Sequence, residues 1–176
     1  MNDDLRGTTR HAAGALLRLG HRQIGYFLRR SHSAGEQDEE EGFLSAFAPG
    51  AEAQGSLIRH TGTVATIHSR LARLFADRAA APTALLVSHA EDTLVILNWG
   101  LARGMQLPRD LSLISYQWES YLERLSPKPA WYYSDPTVHA RKLARLLLRA
   151  SSRQPLLRPI LPTFHKNDTL ARPALR

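Results

Sequence analysis

Ser88, His89 and Asp92 put a hydroxyl, an imidazole and a carboxylate into one short run, the side-chain types of serine–histidine–acid catalysis. That chemistry needs the serine raised on a glycine-flanked elbow, and no such elbow surrounds Ser88. The 8 histidines include no His-Glu-x-x-His pair or comparable spacing. With 0 cysteines there is no thiol nucleophile, no disulfide and no cysteine-ligated metal. The residues therefore define no catalytic set and no metal site, and they call for no cofactor. What they can do is recognise. His89 and Gln117 carry hydrogen-bonding groups, and Trp118 offers an aromatic face suited to stacking on a sugar or a base.

The segment 82–116 explains why those groups belong together. Residues 83–87, TALLV, form a short continuous apolar run, the pattern of a strand covered on both faces. Ser88 and Glu91 have capping-box spacing, which predicts a helix starting there. Leu94, Val95, Ile96, Leu97, Trp99 and Leu101 wrap most of its circumference, so it is largely buried. Gly104 suits a left-handed C-terminal cap, and Pro108 forbids continuation. Residues 111–115, LSLIS, are the next strand. Strand, helix and strand at this spacing make a right-handed parallel unit.

The remaining chain repeats that alternation. Residues 5–19 read as a helix capped by Asp4, with Ala12, Ala13, Leu16 and Leu17 as its apolar face and Gly20 as its stop. His21 sits in the tight turn before a strand at 23–28, where it serves as a hydrogen-bonding turn residue. Residues 33–47 read as a second helix whose first turns carry Glu36, Asp38, Glu39, Glu40 and Glu41. The helix dipole favours negative charge there, so the run reads as a solvated helix start. A loop at 48–54 leads to a strand at 56–59, and 64–78 forms an amphipathic helix with Ile67, Leu71, Leu74 and Phe75 on one face. Helices and strands thus alternate, which is the order of a doubly wound α/β sheet. Such sheets bind ligands beyond the carboxyl ends of their strands. Here those ends are Ser88-His89 and Tyr116-Gln117-Trp118.

Beyond Trp118 the sequence predicts a short helix at 119–125, a turn-rich connector at 126–129 and a strand at 131–133. Ser134 or Asp135 caps a helix starting near Pro136, with Val138, Leu143, Leu146 and Leu147 turned inward. Arg141, Arg145 and Arg149 make a basic stripe on it, read as a solvated face. Residues 156–165 hold a final strand pair.

Length and composition fit one domain: 176 residues, 43% hydrophobic. No apolar run approaches the roughly 20 residues of a membrane span, and the N-terminus lacks a signal-peptide layout. Both point to a cytoplasmic protein without a membrane partner. The net charge of +7 raises the question of nucleic acid. The arginines, however, are scattered, with no arginine–glycine tract, no aromatic RNA-binding signature and no helix-turn-helix pattern.

Several motifs carry a family resemblance. Pro82-Thr83-Ala84 with its apolar run, the helix ending at Gly104, and Pro108-Arg109-Asp110-Leu111-Ser112 resemble the central strand–helix–strand of the lactose-repressor (LacI/GalR) family of bacterial transcription regulators. Leu19-Gly20-His21-Arg22 and Gly42-Phe43 resemble further family marks, and Lys166–Thr169 resembles the family's terminal motif. The resemblance implies one lobe of a two-lobed, periplasmic-binding-protein-like sensor. Residues 1–131 would be its C-terminal lobe, and 132–176 a crossover helix and terminal strands that complete the other lobe. It also implies a homodimer that senses a small polar effector, touching operator DNA only through a headpiece that this chain does not include. A solute-binding protein of the periplasmic type, without a transcriptional role, is the alternative. The family's effector-binding positions fall on Glu39, where an arginine is expected, on His89, on Gln117, where sugar-binding members carry an aspartate, and on Ser134, where a glutamine is expected. With Trp118 they make the expected ligand-binding set. Replacing arginine by Glu39 turns the expectation from acidic effectors to neutral or cationic hydroxylated ones, either sugar-like or nucleoside-like.

Overall fold

The computed structural model describes residues 3–30, 33–50, 52–148 and 160–174. In chain order these form α1 (Leu5–Arg18), β1 (Gln23–Arg29), α2 (Ala34–Leu44), β2 (Gln54–His60), α3 (Val64–Leu74), β3 (Ala84–Val87), α4 (Ala90–Leu101) and β4 (Ser112–Ser115). A 3-10 turn at Ser120–Arg124, β5 (Ala130–Tyr133), α5 (Pro136–Leu148) and β6 (Thr163–His165) follow. The strands form one six-stranded sheet in the order β2-β1-β3-β4-β5-β6, parallel except where β6 runs antiparallel to β5. This is the expected doubly wound α/β architecture. No helix among the described residues is long and apolar enough to cross a membrane.

Period-two alternation explains how both faces of the sheet are covered. Ile24, Tyr26 and Leu28 of β1 join Ala84 and Leu86 of β3 beneath α1 and α2, with Ala12, Ala13, Leu16 and Phe43. The intervening Phe27, Leu85 and Val87 face α3 and α4, with Ile67, Leu71, Ile96 and Leu97. At Gly25 the side chains of Ile58 and Leu85 fill the space of a Cβ, which would come within 2.6 Å of both. Helices α1 and α2 touch at Gly42, where a Cβ would meet the Arg6 carbonyl oxygen at 2.2 Å. Across the same contact Arg6 pairs with Asp38 and Glu41.

The C-terminal segment after β6 ties the sheet together. Thr169, fully buried, donates its hydroxyl to the Leu113 carbonyl at 2.6 Å and accepts the Ala130 amide at 2.9 Å, so one side chain spans β4 and β5. The Ala171 carbonyl accepts from Ser112 Oγ and from His21 Nε2 at 3.0 Å, while His21 Nδ1 accepts from the Thr83 hydroxyl at 2.8 Å. His21 is therefore the turn-holding group its position suggests, fixed as a neutral tautomer by these two partners.

Several local expectations change. Helix α4 starts after His89, and neither Ser88 nor His89 caps it with a side chain. Ser88 Oγ instead bonds His89 Nδ1 at 2.7 Å, so the predicted capping box is absent. Helices α2 and α3 stop short of the predicted 47 and 78, and β2 extends over Gln54–His60, past the predicted ends at 56 and 59. Val138 and Leu143 of α5, expected inward, are 42% and 50% exposed. Helical periodicity shows that a stripe is apolar, not that a partner surface lies beside it. The side chains of Arg145, Leu146 and Leu147, residue Arg149 and the predicted strand residues 156–159 lie outside the described residues.

The packing at Gly42 can be tested against a second helical glycine. Gly42→Ala forces a methyl group into the α1 backbone and is expected to lower unfolding stability by about 1–3 kcal/mol. Gly14→Ala, where the nearest atom is the flexible Arg18 guanidinium at 3.3 Å, is expected to raise it by up to about 1 kcal/mol. Urea titrations of the two variants that move in the same direction would refute this packing account.

Candidate functional site

The carboxyl ends of β1, β3 and β4 and the start of α2 enclose a cleft of about 190 Å³. It is lined by Arg29 from β1, by Ser88 and His89 after β3, by Gln117 after β4, and by Glu36 and Glu39 of α2. The topology causes this meeting. Parallel strands end on the same edge, and α2 and α4 begin there, so the first residues of two helices face the ends of three strands.

Glu39 is half-buried and accepts the Tyr26 hydroxyl at 2.5 Å. Burial pushes its carboxyl above the ordinary carboxylate value, the Tyr26 bond pulls it partly back, and Glu36 and Glu40 push it up again. Three other acids of the α2 run are engaged in ion pairs: Asp38 and Glu41 with Arg6, and Glu40 with Arg59. Burial holds the His89 imidazole below its ordinary value and the Arg29 charge acts in the same sense, while Asp92 and Glu91 oppose them. A neutral His89 presents Nδ1 to Ser88, and its Nε2 has no partner among the described residues. Gln117 is exposed, with its side-chain amide unbonded among the described residues.

Beneath the cleft lies a polar cluster of which the sequence points to Asp92 but not to Arg29 or His60. Asp92, 2% exposed, accepts from Arg29 Nε and Nη2, both at 3.0 Å. Glu91 sits 3.4 Å from the same guanidinium. His60, at the end of β2 and directly beside Arg29 in register, brings Nε2 to 3.5 Å from Asp92. Burial lowers the His60 pKa against the attraction of Asp92. Arg29 and His60 could have been found by the rule that drew attention to His89, because each ends a strand of the parallel sheet. Their carboxylate partner is remote in sequence, which no local pattern reveals.

The cluster also decides against a catalytic relay. In such a relay the serine and the acid use opposite nitrogens of the imidazole. Here Ser88 Oγ at 2.7 Å and Asp92 Oδ2 at 3.9 Å both face His89 Nδ1, and the acid is committed to Arg29. Among the described residues, no group of three histidine, aspartate or glutamate side chains could hold a metal ion.

The structure thus brings Glu39, His89 and Gln117 to one cleft. Trp118 and Ser134 lie elsewhere. Trp118 donates its indole N–H to Glu123 at 2.9 Å and packs edge-on to Tyr133, in a cluster with Trp131 and Leu122. Ser134 donates to Asp3 Oδ1 at 2.8 Å, and the same oxygen is 2.9 Å from His139 Nε2.

Comparison with known proteins gives this arrangement a class. A model of the periplasmic binding protein-like domain matches residues 13–164, and the chain belongs to that family. Solved structures with the same fold include a LacI family transcriptional regulator from Mycobacterium smegmatis, with a TM-score of 0.77 and 19% identity over 99% of this chain and 66% of that one. The Escherichia coli transcriptional repressor ascG superposes with a TM-score of 0.80 and 17% identity over 96% of this chain and 63% of its own. A LacI family regulator from Enterococcus faecium, solved with bound ribose, gives 0.76 and 21% over 97% and 64%. At these identities the likeness establishes the fold. The chain spans less than two thirds of each of these structures. No curated protein matches it.

Four imidazoles set an acid response. His11, His21, His60 and His89 all have pKa values lowered from 6.5, with burial as the largest cause. Below 6.5 the unfolded chain binds these protons more readily than the folded one, so stability falls as pH drops. Glu39, raised from 4.5, acts oppositely in the window above 4.5, where the folded chain holds the proton more tightly. Denaturation midpoints are expected to fall between about pH 7.5 and about pH 5.5, with a shallower slope in His89→Gln. A midpoint that rises on acidification would contradict the assignment.

Proposed function

We propose that this chain is the effector-sensing portion of a LacI/GalR-type transcription regulator, and that its ligand is a small neutral hydroxylated molecule, sugar-like or nucleoside-like. The supporting observation is the convergence of Glu39, His89 and Gln117 at the carboxyl edge of a parallel sheet. Glu39 supplies an acceptor, Gln117 an amide, and neutral His89 a nitrogen that can donate or accept. These groups pair with hydroxyls. Arg29, the cation nearest the cleft, is neutralised by Asp92, so an anionic ligand meets Glu39 without a free countercharge and loses its hydration uncompensated. The ribose bound in the Enterococcus faecium regulator is a ligand of this chemistry.

In this reading the sensor acts by population shift. The effector stabilises one arrangement of two lobes, and the altered dimer geometry changes how a separate helix-turn-helix headpiece meets its operator. The protein works as a dimer in the cytoplasm, and the elements described here do not themselves read DNA.

Thermal-shift and calorimetric titration test the ligand class. Ribose or adenosine at about 100 times its dissociation constant should add about 2.7 kcal/mol of stability. Glu39→Ala and Gln117→Ala should each weaken binding about tenfold, the scale of one lost hydrogen bond to a polar ligand. Stabilisation by citrate or a purine monophosphate that persists undiminished in Glu39→Ala would overturn the proposal.

A further inference from the structure

Glu39 reaches the strand-end cleft from α2, but one of its oxygens is already engaged. Tyr26 lies in β1 beneath α2, fully buried, and is not among the residues that line the cleft. Its ring packs on Phe43 with centres 5.3 Å apart, and its hydroxyl donates to Glu39 Oε2 at 2.5 Å. Glu39 and Phe43 stand four residues apart on one face of α2, so a single tyrosine grips the helix at two successive turns. Glu39 Oε1 has no donor among the described residues and is open to solvent, which leaves it as the oxygen available to a ligand.

Burial sets the behaviour of both groups. Burial first, and the Glu39 charge second, push the Tyr26 hydroxyl well above its ordinary value, so it keeps its proton and donates across the neutral range. Burial raises Glu39 in turn, the Tyr26 bond opposes that rise, and Glu36 and Glu40 of the same helix add to it. From the neighbouring elements, Arg29 of β1 and His89 after β3 line the same cleft, and Tyr116 after β4 is near enough to feel the Glu39 charge. A bond from a neutral donor favours the ionised carboxylate, which accepts and cannot donate. A protonated Glu39 could instead donate to the carboxylate of a ligand.

We infer that Tyr26 is a positioning residue for this cleft, holding Glu39 as an acceptor-only group with one oxygen free for the ligand. The cleft thereby selects molecules that donate a hydrogen bond at that point and turns away carboxylates, although Tyr26 touches no ligand itself. The selection rests on the ligand reading proposed above; the hold on Glu39 does not.

The side-chain carboxyl carbon of Glu39, identified by its absence in Glu39→Gln, is followed by NMR through a pH titration. Its midpoint is expected to rise by about one pH unit in Tyr26→Phe, the scale of one hydrogen bond to a charged group. Tyr116→Phe removes another buried hydroxyl from the same face of the sheet and should leave the midpoint unmoved. In the unmutated chain the Tyr26 carbon that bears the hydroxyl should shift with the Glu39 midpoint, a reading that needs no variant. Calorimetry with ribose and its acid, ribonate, tests the selection, and the unmutated chain should prefer ribose. The ratio of charged to protonated Glu39 changes about tenfold per pH unit, so Tyr26→Phe should narrow that preference by about tenfold. A Glu39 midpoint that stays fixed in Tyr26→Phe, a Tyr26 carbon indifferent to it, or an equal rise in Tyr116→Phe sinks the inference. So does an unchanged preference for ribose. Absence of ribose binding beside a shifted midpoint would sink the ligand reading alone and support the hold of Tyr26 on Glu39.

Discussion

The carboxyl edge of this sheet depends on one ion pair. Asp92 sits in the first turn of α4 with its carboxylate out of solvent, and a buried carboxylate is tolerable only when its oxygens are matched. Arg29 matches both oxygens at once, reaching from the end of β1, and the two-point geometry fixes direction as well as distance. Strand and helix are thereby locked in relative position where they border the cleft. His60 and His89 take their places around the same acid, and the guanidinium beside them helps keep His89 neutral. Loss of Arg29 would leave Asp92 a stranded charge, and loss of Asp92 would leave Arg29 only Glu91, 3.4 Å away. The ion pair thus holds the shape of this edge.

The two edges of the sheet are consequently unlike. At the carboxyl edge Asp92 cancels Arg29, which leaves Glu36 and Glu39 with neutral polar groups facing a small space. At the amino edge Arg103 lies over the Trp99 ring beside a wider space. The contrast follows from the chain direction shared by β1 to β5, which separates residues just before strands from residues just after them. A parallel sheet sorts its loop chemistry by edge without any need for long insertions.

Much of this architecture can be read without coordinates, and the reasons for the failures are physical. Apolar runs and helical periodicity located the strands and helices from residue 5 to residue 115, because burial on two faces leaves a strong local imprint. The turn role of His21 followed from its place between a helix stop and a strand. The capping-box spacing of Ser88 and Glu91 misled, because the Ser88 hydroxyl found a better partner in the adjacent imidazole. Helix α5 misled in another way, since Val138 and Leu143 form an apolar stripe that meets solvent. At the site, strand-end logic reached His89 and Gln117 but stopped before Arg29 and His60. Their significance lies in Asp92, a contact made only when distant segments fold together. Trp118 reads locally as an open stacking surface, yet Glu123 and Tyr133 claim its N–H and its ring.

Thr169 has a bearing on how the protein is made. Ribosomal synthesis is vectorial, so β4 and β5 emerge well before the segment that carries Thr169 and Ala171. Until that segment arrives, the short β4–β5 pairing lacks the side chain that bridges it. The β4–β5 junction is therefore closed by a segment made after both strands, with a single threonine hydroxyl as its clasp.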